Sequence, residues 1–177
     1  TLQSDVSTAQ SDISTLQSDV AGFTSGKILQ VVSATKTDTF TATSTATWDV
    51  SGLSVAITPS SASSKILVVG YVNMSGAYDR PAMRLVRNST AIGVGATSGS
   101  RISVSGAGYM LAGADTTTVS VNYLDSPSTT SATTYKIQVI VPGSPATAIY
   151  VNRTITDTSS NSYIRSASTI TVMEVAA

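Results

Sequence analysis

The chain has 177 residues, ten basic and ten acidic, with no Cys and no His. That removes disulfides and thiolate metal sites, along with the commonest metal ligand and general base. Zero net charge without a Lys/Arg cluster excludes a nucleic-acid footprint, and no apolar run approaches the roughly 18 residues of a membrane span.

Charged side chains are scarce at 11 %, Ser and Thr supply about a third of the positions, and apolar residues reach 41 %. The low charge therefore does not mean disorder. The first seven residues, Thr1–Ser7 (TLQSDVS), recur as Thr8–Ser14 (TAQSDIS) and Thr15–Ala21 (TLQSDVA). Leu2, Val6, Ala9, Ile13, Leu16, Val20 and Phe23 then alternate at steps of four and three, the spacing of a coiled-coil seam. Nothing downstream repeats the pattern, so the seam is expected to pair with copies of itself in a parallel oligomer over residues 1–23. Ser, Thr and Asp on the outward positions make a poor isolated helix, so its stability is expected to come from association. β-Branched residues at a with Leu at d lean towards a dimer. A repeat at full strength from Thr1 reads as the continuation of a longer stalk.

After Gly22–Gly26 the period changes from 3.5 to 2, opening a second unit over residues 24–177. Ile28–Ser33 reads as a strand. Thr39–Val50 alternates, with Phe40, Ala42, Ala46, Trp48 and Val50 on one face; Leu53, Val55 and Ile57 continue to Pro59, and Ser60–Ser64 is a loop. Ile66–Met74 is almost continuously apolar, as in a strand covered on both faces. Ala82–Arg87 and Ala91–Val94 flank a hairpin signal at Asn88-Ser89-Thr90. Ile102–Val104, Tyr109–Leu111, Thr118–Leu124, Tyr135–Val141, Ala148–Ile155 and Ser168–Val175 complete about ten short strands, the pattern of an all-β antiparallel sandwich. The Asn73, Asn88 and Asn152 sequons are chance matches in a Ser/Thr-rich chain.

Beyond the stalk and first strands the acids are Asp79, Asp115, Asp125, Asp157 and Glu174, and none stands in a D-x-D or E-x-x-H arrangement. No catalytic role, metal or cofactor is expected. Asp125, before Ser126-Pro127, is expected to accept backbone N–H bonds of a turn. Glu174 is expected to pair with an Arg between subunits or to point outward at a sheet edge. Trp48 is expected in the core or an interface.

Gly52–Ser54, Ile57-Thr58-Pro59 leading into Ser64–Val68, Arg84–Ile92, Tyr123–Gln138, Tyr150–Thr154 and Ser168–Val175 together resemble, in order and spacing, a recurring module of bacteriophage tail fibres. The resemblance is to distal fibre domains, many from marine and cyanobacterial phages. It implies a jelly roll of tumour-necrosis-factor or complement-C1q type packed as a homotrimer, in conflict with the dimer leaning of the heptads. It also implies a virion location and attachment to a host surface polymer, by multivalent binding of carbohydrate. The alternative is a purely structural trimerisation tip that binds no receptor.

A sugar site needs an aromatic face beside planar hydrogen-bonding groups. Tyr78, Asp79 and Arg80 before Pro81 form one such set, although Tyr78 could instead cap the sandwich. Asn161, Tyr163 and Arg165 in the polar stretch Asp157–Arg165 form another, the competing role for Tyr163 being the start of the next strand. Tyr109, after the Gly-rich Ser105–Gly108, is a third platform or a core residue.

Overall fold

The repeats do form a helix, α1, over Leu2–Gly22. Its Thr8, Ser14 and Thr15 hydroxyls fold back to donate to the carbonyls of Ser4, Gln10 and Ser11. Such back-bonding shares the carbonyls that the helix's own N–H groups use and slightly weakens the helix. Leu2, Val6, Ala9, Ile13, Leu16 and Val20 lie exposed along it. A computed structural model describes residues 1–22, 26–43, 47–76, 80–110, 115–140 and 148–177, so Phe23 and Ala46 fall outside the described residues.

Past α1, the described residues form strands β1 (Ile28–Lys36), β2 (Phe40–Ala42), β3 (Thr47–Ile57), β4 (Lys65–Gly76), β5 (Ala82–Arg87) and β6 (Thr90–Ile92). These are followed by β7 (Gly106–Ala107), β8 (Thr117–Asp125), β9 (Thr133–Ile140), β10 (Ile149–Val151) and β11 (Ser168–Val175). One sheet has the order β1-β11-β4-β10-β2, with β8 on the other side of β4. The second has β3-β9-β5-β6, with β7 also on β5. Every pairing is antiparallel. The long strands thus divide as β1-β11-β4-β8 against β3-β9-β5-β6, with the chain crossing between sheets, which is the jelly-roll arrangement of the β-sandwich.

Alternation decides which side chains meet. Val68, Val72 and Met74 of β4, Ile170 and Val172 of β11, and Val119 and Val121 of β8 face Leu53, Val55, Ile137, Val139, Met83 and Leu85 of the other sheet in one buried core. The stretch Thr39–Val50 is not one strand but is divided between β2 of the first sheet and β3 of the second, with Phe40 and Trp48 packed partly buried against the core. Between Asp49 and Ser54 the register slips around Gly52, whose φ of 85° is open to glycine at little cost.

Several local expectations fail. Ile102–Val104 and Tyr109–Leu111 are not strands in their described residues (Leu111 lies outside them); the strand is instead Gly106–Ala107, within the stretch read as a loop. Ser105 explains it, because its backbone N–H donates to Met83 O while its hydroxyl accepts from Leu85 N, tying the segment to β5. Ala148–Ile155 stops at Val151, where Asn152 turns left-handed with φ 62°.

Glu174 neither faces solvent nor meets an arginine. It is 0 % exposed and accepts from Gln30 Nε2 at 2.6 Å, Ser60 N at 2.7 Å and Ser60 Oγ at 2.6 Å. The inward phase of β11 puts a carboxylate at the end of the core, and Ser60 closes the loop over it. Burial alone would raise its pKa, but the donors from Ser60 and Gln30 win and hold it at about 2. Asp125 likewise binds side chains rather than turn N–H groups. Arg87 Nη1 donates to both its oxygens at 2.8 and 2.9 Å, and the buried Tyr135 hydroxyl donates at 2.6 Å. Burial and that carboxylate push the Tyr135 phenol far above its usual range.

A depressed carboxyl pKa stabilises the fold above the unfolded value of 4.5, and the contribution is lost as pH falls towards 2. Thermal denaturation followed by circular dichroism between pH 7 and 2 is expected to show this loss. Glu174→Gln should be less stable at pH 7 by about 1–3 kcal/mol and should show a flatter acid limb. Parallel acid limbs for the two proteins would contradict the assignment.

Candidate functional site

Register fixes which loops share an end of the sandwich. β4 starts at Lys65 opposite Val175, and Ala176 exchanges hydrogen bonds with Lys27 and Gly26, where the chain arrives from α1. The far end therefore gathers Gly76, Ala82, Thr117 and Ile140, since Thr117 pairs with Met74 and Ile140 with Ala82. Arg80 and Tyr109 come together there: Gly108 N donates to Pro81 O at 2.9 Å, and Ala82 pairs with Ala107. Tyr109 is 63 % exposed and is not a core residue. Tyr78 and Asp79 lie outside the described residues.

The second predicted set is built differently. β10 and β11 lie end to end along β4, with Val151 opposite Met74 and Thr169 opposite Tyr71. One strand line is thus interrupted, and the intervening residues leave the sheet and return. Asn152 closes the exit. It is fully buried; its Nδ2 donates to Lys36 O at 2.8 Å and Asp38 O at 3.0 Å, and its Oδ1 accepts from Ser168 Oγ at 2.6 Å. Ser168 Oγ in turn accepts from Asn73 N at 3.0 Å. Beyond this knot Arg153 pairs with Arg165 in a single antiparallel bridge, and Ser166 N donates to Asn152 O. Lys36 Nζ bonds both oxygens of Asp38 at 2.8 Å, and that bond holds the Asp38 carboxyl below its ordinary value.

Within the excursion the arginines are oriented. The Arg153 guanidinium stacks over the Tyr150 ring at 4.0 Å and donates to Ile155 O at 2.9 Å. Arg165 Nη2 donates to Asp157 Oδ1 at 2.6 Å, and the other Asp157 oxygen is 3.8 Å from Arg153. Tyr163 does not begin the next strand; its N–H closes a turn on Ser160 O, and β11 starts at Ser168. Asp157, Asn161, Tyr163 and Arg165 line one open concavity of about 600 Å³. Such a surface offers a half-exposed ring beside an amide, a carboxylate and a guanidinium. Among the described residues no three His, Cys, Asp or Glu side chains converge to hold a metal, and no helix is long and apolar enough to cross a membrane.

Sequence reasoning located this second set but missed its keystone, because Asn152 read only as part of a chance sequon. The signal was an Asn ending an apolar strand, a residue suited to the left-handed region. It also missed Arg101, which joins Arg80 at a concavity of about 310 Å³ on the far end.

No protein-family model matches the chain, and no curated protein matches it. Among solved structures it is similar to chains of infectious bursal disease virus. The Gx strain structure aligns with TM-score 0.44 at 15 % identity over 86 % of this chain and 38 % of that one. The Gt strain structure aligns with TM-score 0.43 at 15 % identity over 86 % of this chain and 39 % of that one. The chain thus spans about two fifths of the length of either.

Replacing Asn152 with Ala would leave the Lys36 and Asp38 carbonyls and the Ser168 hydroxyl without their partner. Asn152→Ala is expected to lower stability in urea by about 1–3 kcal/mol and to speed amide exchange in residues 153–167 above that of β4. Unchanged exchange there would show that the excursion is held by other contacts.

Proposed function

We propose that this chain is the distal, receptor-binding part of a bacteriophage tail fibre, assembled as a homotrimer around α1 and attaching the virion to host surface carbohydrate. The observation that carries the reading is the pinned excursion over residues 153–165, which presents Asn161, Tyr163 and Arg165 around one concavity. A ring face for C–H stacking beside planar donors and acceptors is what a sugar requires, and a shallow site suits multivalent attachment, where copies around an axis raise avidity without new contacts.

Two features support self-association. The apolar stripe of α1 has heptad spacing and is exposed. The outward face of the first sheet carries a ladder across four strands, Val31 beside Met173, Met173 beside Leu67 and Leu67 beside Leu124. Val31 is 56 % exposed, and the ladder lies at the end where the chain enters from α1. A second copy held by the helix would cover it, and would supply the two-sided burial that the apolar run Ile66–Met74 implies.

Sedimentation is expected to find a trimer, and Val31→Glu is expected to shift it towards monomer by placing a charge in that ladder. A wild-type monomer would remove the assembly. The fluorescently labelled chain is expected to adsorb to host cells and to lose adsorption on mutants lacking surface polysaccharide. Tyr163→Ala and Asn161→Ala should each reduce adsorption about tenfold or more, the effect of losing roughly 1.4 kcal/mol per site, without changing the sedimentation coefficient. Equal staining of both cell types would leave the purely structural tip.

A further inference from the structure

The far end of the second sheet carries a site of different chemistry. Between Gly93 and Ser105 the chain leaves β6 and comes back to β7, and Gly95 N donates to Val104 O, folding that segment on itself. Its Arg101 and Ile102 share a concavity of about 310 Å³ with Arg80, Ala82, Ala107 and Ile140. The floor is apolar, Ala82 and Ile140 being paired neighbours whose side chains are buried outside the main core. Arg80 and Arg101 are its two charged lining residues.

Arg101 is held only by its own turn, donating from Nη1 to Ser98 Oγ at 3.0 Å and Ser98 O at 3.5 Å. Both acceptors are neutral, so no carboxylate among the described residues balances its charge. Beyond α1, described acids are committed elsewhere: Asp38 to Lys36, Asp49 to Lys136 and Gln138, Asp125 to Arg87, Asp157 to Arg165, Glu174 to Ser60 and Gln30. Arg80 and Asp115 have polar partners of their own. Arg84 follows Ala82 on the same face of β5 and keeps a buried Nε with no hydrogen-bond partner. In a chain with so few charges, Arg101, with only the neutral Ser98 acceptors, is a positive charge at an apolar hollow whose low-dielectric walls strengthen its field. Guanidinium geometry matches planar or tetrahedral oxyanions by paired N–H donors.

We infer that this concavity binds the anionic substituent, a carboxylate or a sulfate ester, of an acidic saccharide whose ring lies on the apolar floor. The inference deepens the attachment reading above and rests on it for the saccharide. The small volume, at the lower end of ligand pockets, and the lack of a basic track argue against a nucleic-acid backbone.

The test is titration of the full chain by calorimetry with three oligomers of equal length: oligogalacturonate, sulfated dextran and uncharged dextran. At least one charged oligomer is expected to bind while dextran does not, and the one that binds identifies the anion. Arg101→Gln should weaken that binding about tenfold, with Arg101→Lys recovering only part, and neither should alter thermal denaturation because the side chain is exposed. Equal binding of dextran, no binding of either charged oligomer, or an unchanged affinity in Arg101→Gln would overturn the site. A chain that adsorbs to host cells but ignores both charged oligomers loses this inference and keeps the attachment reading. Arg101-dependent binding with no adsorption to cells does the reverse.

Discussion

One buried side chain aligns three strands of the first sheet. Asn152 reaches from the end of β10 to the two carbonyls where β1 hands over to β2, and takes the Ser168 hydroxyl that opens β11. Through Ser168 the contact extends to the backbone of Asn73 in β4. Asn152, Lys36 and Ser168 are buried, so their polar groups depend on one another for partners. The left-handed backbone at Asn152 is the cost of the arrangement, and the four hydrogen bonds offset it. From this knot one strand line can part and rejoin without disturbing the sheet.

Charge is distributed between the two ends with different effects. Near the end where α1 joins, Glu174 and Asp125 are buried and accept several hydrogen bonds: Glu174 holds the Ser60 loop, and Asp125 ties β8 to Arg87 of β5 and Tyr135 of β9 in the other sheet. At the opposite end Tyr109 is exposed, and Arg80 and Arg101, outside the strands, line a hollow. Two buried carboxylates thus bind the structure together near α1, while Arg80 and Arg101 line a hollow at the other end.

The strands themselves were legible because a two-residue period needs no knowledge of partners. Ser168–Val175 falls where its alternation puts it, whereas Thr39–Val50 keeps Phe40, Ala42, Trp48 and Val50 against the core but is divided between two sheets. The helix was legible from heptad spacing alone. What escaped depended on pairing. Glu174 sits among Val172, Met173 and Val175, and nothing local reveals Gln30 and Ser60 waiting on other segments. Gly106–Ala107 carries no strand propensity and pairs only because Ser105 ties it to β5. The choice of end for each loop was hidden for the same reason, since it depends on register between strands far apart in the chain.

The interrupted strand line has a consequence for change over generations. Because the segment between Arg153 and Arg165 is sewn shut at its base, its length is decoupled from the sandwich. Doubling a closed loop adds only about 0.6 kcal/mol of closure entropy. New sequence spliced into this position would leave the register of its neighbours untouched. The molecule therefore contains a graft point, where the outermost surface can be rewritten wholesale while the scaffold beneath is inherited intact.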